Sequence, residues 1–339
     1  MHKLKVELKQ HTPLIHFQHD QEGATLRASE VKPKFDRYIL GKLNPEERRL
    51  GEKQGWIKSK NGKTWLVYKM RIDSSAFKSI SIPTRPVKKG GVLQTDSIGR
   101  QLFSTNNYPD NDSSLIMSNI GGRVEEEVFN LRMANSIILT LRTDDTADTL
   151  ASILKDRIYE FFARTSFGNR TSKGFGSFEV VRVNDNEENS YLDSDSYILS
   201  FTIQAKDPLN INNVYKSVFK VIHAFWKQLK RLSGVRGKAV NNVLLNMKPQ
   251  NISGAERIPS PIRFKPLVDF YTDGNFFCCD VSIAFFYNEG VISKVADLKN
   301  VSYYAGLLDA FKKDAENQLF EFLRKNVSYD INPSSVSLE

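Results

Sequence analysis

Residues 150–183, LASILKDRIYEFFARTSFGNRTSKGFGSFEVVRV, decide the fold of this chain. Apolar side chains recur at helical spacing at Leu150, Leu154 and Ile158, and the residues from Phe178 to Val183 have the composition of a strand. The helix passes into the strand through residues 164–176, a loop that contains glycines and basic residues. The stretch therefore predicts the second helix and the last strand of an α+β unit.

The elements that precede this stretch complete such a unit. Apolar and charged residues alternate over 4–8, which predicts an opening strand, and helical spacing follows over 31–43. Further strands are predicted at 66–72 and 136–141. The order strand, helix, strand, strand, helix, strand is that of a ferredoxin-like fold.

The same order of elements returns after residues 184–195, an acidic and polar spacer. The predicted elements are a strand at 197–203, a helix at 214–232, strands at 262–268 and 276–286, and a helix at 307–323. We therefore predict an α+β fold of tandem ferredoxin-like (RRM-like) modules. The predicted domains are 1–188 and 189–339.

Residues 82–127 form a long insertion in the first predicted domain. The segment is rich in Pro, Gly, Asn, Ser and Asp. It is too long for an ordinary connection, and segments of this kind are functional arms or disordered insertions.

Composition points to an intracellular protein with an anionic partner. Lys and Arg number 48 against 39 Asp and Glu, a formal net charge of +9, which favours a polyanion. The two cysteines, Cys278 and Cys279, are adjacent on a predicted strand, so we expect one to be buried and one partly exposed. They cannot form a zinc cage by themselves. We expect a cytoplasmic protein without a signal peptide, membrane span, metal or cofactor.

The loop at 164–176 has the chemistry of a phosphate site. Its glycines free the backbone for close approach, and cations and hydroxyl groups lie among them. The candidate residues are Arg164, Gly168, Arg170, Thr171, Ser172, Lys173, Gly174 and Gly176. A dinucleotide or P-loop site requires the opposite order, strand before helix, so NAD and ATP are disfavoured. The alternative is a helix-to-strand turn whose glycines act as helix C-caps.

Three stretches resemble a known family. GNRTSKGFGSFEV at 168–180 resembles the signature loop of CRISPR-associated RAMP proteins, close to G-x-R-[ST]-[RK]-x-G-F-G before a strand. TLRASEVKPKFDRYI at 25–39 resembles the segment of the first-numbered subunit of the type III-B (Cmr) effector in which Leu-Arg-x-x-Ser-[IV]-Lys leads into a basic helix. Here one residue separates Arg27 from Ser29. PSPIRFKP at 259–266 is similar to a Ser-Pro stretch of that subunit.

The resemblance implies ferredoxin-like modules, CRISPR RNA and target RNA as ligands, and other type III effector subunits as partners. The RNA-facing set that it implies is Arg27, Lys32, Lys34 and Arg37. A solvated basic helix face is the alternative. Arg263 and Lys265 alternate with apolar residues on a predicted strand. They could line an open sheet face that binds RNA, or they could simply keep the sheet soluble.

Three functions compete. The leading hypothesis is a non-catalytic subunit of a type III CRISPR ribonucleoprotein in antiviral defence, which grips guide or target RNA through its backbone. The first rival is a RAMP endoribonuclease that processes repeat RNA, with His16 or His19 as the base. His11 belongs to the same histidine-rich stretch. The second rival is a scaffold that contacts only the other subunits.

Overall fold

The structure is a computed structural model. It describes residues 2–15, 25–83, 85–86, 88–89, 91–93, 95, 103–104, 128–144, 149–168, 171–184, 186–187, 197–232, 262–287 and 301–338.

These residues form both strands and helices. The strands are β1 His2–Gln10, β2 Ile57–Lys60, β3 Lys63–Leu66, β4 Lys69–Pro83, β5 Arg85–Pro86, β6 Lys88–Lys89, β7 Val92–Leu93, β8 Phe103–Ser104, β9 Val128–Thr143, β10 Phe178–Val183, β11 Asn186–Glu187, β12 Tyr197–Ala205, β13 Ile262–Asp273, β14 Phe276–Tyr287, β15 Asp330–Ile331 and β16 Ser337–Leu338. The helices are α1 Ala28–Lys42, α2 Pro45–Gln54, α3 Thr149–Arg164, α4 Ile211–Leu232 and α5 Val301–Asn326. Short 3₁₀ helices occupy Thr171–Lys173 and Pro333–Ser335.

The first sheet has the strand order β11-β10-β1-β9-β4, and its paired strands are antiparallel. Leu4, Val6 and Leu8 of β1 are buried in one core with apolar residues of α1 and α3, which confirms the predicted alternation. The second predicted strand, 66–72, is wrong in its bounds, because β3 ends at Leu66 and β4 begins at Lys69. Most of the predicted insertion at 82–127 lies outside the described residues.

The second sheet has the order β13-β14-β12-β15, with β16 also paired to β12. Helices α4 and α5 contribute to its core, for example through Val218, Phe225 and Phe311. Without the two-residue strands β11 and β16, each sheet has four strands, β4-β9-β1-β10 and β13-β14-β12-β15. Numbered by their order in the chain, both sets run second, third, first, fourth across the sheet. The α+β class is confirmed. The domain bounds and the ferredoxin-like description stay predictions.

The two halves of the chain share apolar contacts. Ile15, Ile80, Met133 and Phe175, all from the first half, belong to the core that the second sheet builds with α4 and α5. These buried apolar side chains join the two predicted domains. The glycine-rich loop lies at the boundary between them, because Phe175 belongs to this core.

Both cysteines are buried, so the expectation of one partly exposed thiol is wrong. Strand β14 lies inside its sheet, where Tyr271 and Gln204 are directly opposite Cys278 on the neighbouring strands. Side chains directly opposite one another contact across a sheet, so these two long side chains can cover the thiol on the outer face.

Candidate nucleic-acid interface

The glycine-rich loop is held by main-chain hydrogen bonds to the segment that follows β1. Phe167 N–H donates to the Gly176 carbonyl at 2.9 Å, and Gly176 N–H donates to the Pro13 carbonyl at 2.8 Å. His11 N–H donates to the Ser177 carbonyl at 2.9 Å. The loop is therefore fixed against protein along its last residues. Asn169 and Arg170 lie outside the described residues, as does the side chain of Ser172.

The three loop glycines adopt positive φ: +76° at Gly168, +88° at Gly174 and +66° at Gly176. A Cβ atom at Gly176 would lie 1.8 Å from the Phe167 carbonyl oxygen, and one at Gly168 would lie 2.4 Å from the Ile15 carbonyl oxygen. A Cβ at Gly174 would lie 2.7 Å from Ile222 Cδ1 of α4. Close packing against protein therefore accounts for these glycines. Helix C-capping does not, because α3 ends at Arg164.

Phe175 carries the loop into the second core. Its side chain is 1% exposed, and its ring stacks on Phe219 of α4 with centroids 4.2 Å apart and an interplanar angle of 14°. The neighbouring Phe167 and Phe178 are buried in the first core and contact each other edge to face. Alternate aromatic side chains of one loop thus enter two different cores.

Thr12 and His11 tie the loop to both sheets. The Thr12 hydroxyl donates to the Gly174 carbonyl at 2.7 Å and accepts from Ser177 N–H at 2.9 Å. His11 Nδ1 accepts from Val268 N–H at 2.9 Å, and His11 Nε2 lies 3.0 Å from a Glu179 oxygen. Burial lowers the pKa of His11, so its ring is neutral and Nε2–H donates to Glu179. His11 is thus a structural residue, whereas His16 and His19 lie outside the described residues.

We expect Thr12→Val to lower the free energy of unfolding by about 2 kcal/mol, because it removes two buried hydrogen bonds while keeping the shape of the side chain. Urea unfolding measures this loss. Thr64→Val is the matched control, since the Thr64 hydroxyl contacts Ser59 at 2.8 Å on an exposed hairpin. Its expected cost is below about 0.5 kcal/mol. Equal losses in the two variants would contradict the role of Thr12.

Lys265 is buried rather than exposed on a sheet face, so neither sequence interpretation of this residue is correct. Its Nζ donates to the carbonyls of Phe162, Thr165 (3.2 Å) and Phe178 (2.8 Å). The first two carbonyls lie at the C-terminal end of α3, where the helix dipole favours a cation. Burial lowers the pKa of Lys265 to about 7. Arg263 on the same strand is half-buried, and burial lowers its pKa too.

The predicted basic set on α1 is divided among different surroundings. Lys32 Nζ donates to Asp36 at 2.7 Å and to the Leu66 carbonyl at 2.9 Å, and lies 4.1 Å from the centre of the Tyr68 ring. Arg27 and Arg37 are exposed. Lys32 therefore stabilises the fold, while the two arginines can reach a ligand.

Glu30 occupies part of the predicted phosphate site. Its Oε1 accepts from Gly168 N–H at 2.6 Å and from Lys34 Nζ at 3.2 Å. Lys34 also lies 4.8 Å from the centre of the Phe167 ring. Glu30 is in the first turn of α1, where the helix dipole favours a carboxylate. An acidic side chain thus already holds an amide and a cation that the phosphate hypothesis assigned to RNA. Glu30 has no role in the sequence-based hypothesis, although a carboxylate in the first turn of a helix is a usable signal.

The other predicted cations at the loop are partly accessible. Lys173 is half-buried, with its Nζ 4.0 Å from the centre of the Trp226 ring on α4. Arg164 is half-buried, with its Nε 3.7 Å from a Glu160 oxygen. Thr171 is half-buried in the short 3₁₀ helix. Accessible positive charge therefore surrounds the loop, while Gly174 and Gly176 are buried inside it.

Within the described ranges, no group of three or more His, Cys, Asp and Glu side chains is placed to hold a metal ion. None of the helices in the described part of the chain combines the length and the apolar character needed to cross a membrane.

The chain is similar to one family model and to several solved structures, two of which are described here. The family model of the Cmr1 N-terminal domain matches residues 1–235 of the 339. The structure of Cmr1 from Pyrococcus furiosus in its apo form matches with a TM-score of 0.42 and 12% identity, over 85% of this chain and 89% of that chain. A cryo-EM structure of the type III-B Cmr-beta bound to cognate target RNA and AMPPnP matches with a TM-score of 0.40 and 13% identity, over 91% of this chain and 98% of that chain. No curated protein matches the sequence.

Proposed function

We propose, because this chain belongs to the family of the Cmr1 N-terminal domain, that it is an RNA-binding subunit of a type III CRISPR ribonucleoprotein effector. The match over residues 1–235 is the observation that carries this proposal. The proposed partners are CRISPR RNA, target RNA and the other effector subunits, and the proposed role is antiviral defence. The net charge of +9 supports a polyanionic ligand.

We also propose that the chain consists of two ferredoxin-like modules, 1–188 and 189–339. The shared strand order of the two sheets supports this description, because it is the order that a strand-helix-strand-strand-helix-strand chain gives when both helices pack on one face. The glycine-rich loop then has a defined place at the boundary between the modules.

The proposed RNA contacts are the accessible cations around the loop. Arg27, the residue before α1, and Arg37 on α1 are exposed, while Arg164 and Lys173 of the loop are half-buried. Side-chain cations of this kind hold phosphates without reading bases, which suits a subunit that must accept many guide and target sequences. Gly174 and Gly176 act indirectly in this proposal, by fixing the loop. Arg170 and Ser172 stay candidates on their sequence alone.

We expect the double variant Arg27→Ala, Arg37→Ala to bind single-stranded RNA more weakly, and by a similar factor for different sequences. The plot of log affinity against log salt concentration should become shallower by up to about two counterions, since two phosphate contacts are lost. Fluorescence titrations with labelled RNA at several KCl concentrations measure both quantities.

The matched control is Arg48→Ala, Arg49→Ala on α2, where both arginines are exposed and the change in net charge is the same. We expect its salt dependence to stay within error of the parent protein. Equal weakening in the two variants would show that only net charge matters and would remove the proposed contacts. The endoribonuclease and scaffold hypotheses stay predictions, and gels of the titrated RNA would detect any cleavage.

A further inference from the structure

Three cations form a line across the outer face of the first sheet. Lys3 of β1 is directly opposite Arg142 of β9, and Arg142 is directly opposite Lys69 of β4. All three side chains are exposed. Leu4 and Leu141, the next residues on the same strands, are buried in the core on the other face. The line therefore lies on the face that points away from the helices.

A second line of cations follows two residues along the strands. Lys5 and Arg71 both lie opposite Thr140, one on each side of it. Strands are about 4.8 Å apart and residues of one face repeat about every 7 Å along a strand, so the five side chains form a compact patch. We call Lys3, Lys5, Lys69, Arg71 and Arg142 the cation patch.

The first line of the cation patch, Lys3, Arg142 and Lys69, is unfavourable for the folded protein by itself. Like charges directly opposite one another destabilise a sheet, and Arg142 has a cation opposite it on each side. Among the described residues of these three strands, the acidic side chains on the same face lie further along, at Glu7 and Asp73, and Arg71 lies 2.8 Å from Asp73. Arrangements that break a rule of local stability are expected where a ligand binds.

The composition of the patch indicates the ligand. Its two lines contain lysine, arginine and threonine and no apolar side chain. The cores of stable protein interfaces are apolar or aromatic and depleted in lysine, so a protein partner fits this face poorly. Phosphates fit it, because each one neutralised releases condensed counterions and needs no apolar contact.

We infer that the cation patch is a second binding surface, which holds the phosphates of a nucleic acid. It differs from the surface around the glycine-rich loop. Lys3 and the loop lie at opposite ends of β1, about 23 Å apart by the length of seven strand residues. The identification of the strand as RNA rests on the proposed function, whereas the binding of phosphate rests on the cation patch itself.

The test is the double variant Lys69→Thr, Arg142→Thr. Threonine is a good strand former, so the sheet is expected to persist. We expect the affinity for labelled single-stranded RNA at 0.1 M KCl to fall by about tenfold, and the salt dependence to become shallower by up to about two counterions. The thermal unfolding midpoint in the absence of RNA should be unchanged or higher, because the repulsion is relieved.

The matched control is Lys58→Thr, Lys63→Thr, which removes two exposed lysines from the β2–β3 hairpin. Equal RNA affinities for the two double variants would overturn the proposal. So would a patch variant that keeps full RNA affinity but loses binding to a polyglutamate peptide, because the patch would then serve an acidic protein. If the parent protein binds single-stranded DNA but not RNA, and the patch variant loses that binding, the patch stands and the RNA function fails.

Discussion

A protein with Gly176→Ala is expected to lose at least about 3 kcal/mol of unfolding free energy, a large fraction of the roughly 5–15 kcal/mol of an ordinary protein. The φ of +66° at this position costs a residue with a Cβ about 1–2 kcal/mol. The Cβ would also lie 1.8 Å from the Phe167 carbonyl oxygen, so main chain must move. That movement would break the hydrogen bond that Phe167 N–H donates to the Gly176 carbonyl, which closes the loop.

Chemical unfolding followed by circular dichroism measures this effect, and Gly62→Ala is the control. Gly62 has a similar φ of +73°, but a Cβ there meets nothing within 4 Å. Only the backbone cost of about 1–2 kcal/mol is therefore expected for it. If both variants lose the same amount, the collision in the loop is unimportant and the loop is more open than the structure indicates.

The second large effect is expected from Lys265→Met. Methionine is similar in length and apolar, so the variant leaves little cavity, but three carbonyl oxygens lose their donor. We expect a loss of about 2–4 kcal/mol near neutral pH, because buried acceptors without partners are costly. Lys206→Met, at an exposed lysine, should change stability by less than about 0.5 kcal/mol. A Lys265 variant as stable as the parent protein would contradict the assigned hydrogen bonds.

The pH dependence gives Lys265 a distinct signature. Burial lowers its pKa to about 7, whereas the unfolded chain keeps the ordinary value of 10.5. Between these values the unfolded state binds more protons than the native state, so this lysine makes stability rise with pH. The difference in unfolding free energy, parent minus Lys265→Met, should therefore grow from pH 7 to pH 10.5. A difference that is flat or that shrinks over this range would show that the pKa is not lowered.

Much of the fold could be predicted from the sequence because its pattern is local. Leu4, Val6 and Leu8 alternate with charged residues and are buried as a strand must bury them. The spacing of Leu150, Leu154 and Ile158 likewise places these three residues on the buried face of α3. A period of two or of 3.6 residues reports directly which face meets a core.

The contacts of the predicted site could not be predicted in this way, as Glu30 illustrates. No role was predicted for this residue. Its carboxylate nevertheless accepts a hydrogen bond from Gly168 N–H, 138 residues away in the chain. The positive φ predicted for the loop glycines is confirmed, and it lets them pack closely against Phe167, Ile15 and Ile222. Their contact with RNA stays a prediction. A glycine-rich loop has the same letters whether a ligand or a distant segment packs on it.

The sequence by itself determined the class of fold, the elements with one buried face, the excess of positive charge and the family. Tertiary structure alone decided which of the charges are available. Lys265 is buried and donates to a carbonyl about 100 residues away in the chain, while Lys3, Arg142 and Lys69 become neighbours only through strand register. The physical reason is that periodicity records whether a side chain faces core or water, whereas the partner of a polar group depends on which distant atoms the fold brings within about 3 Å.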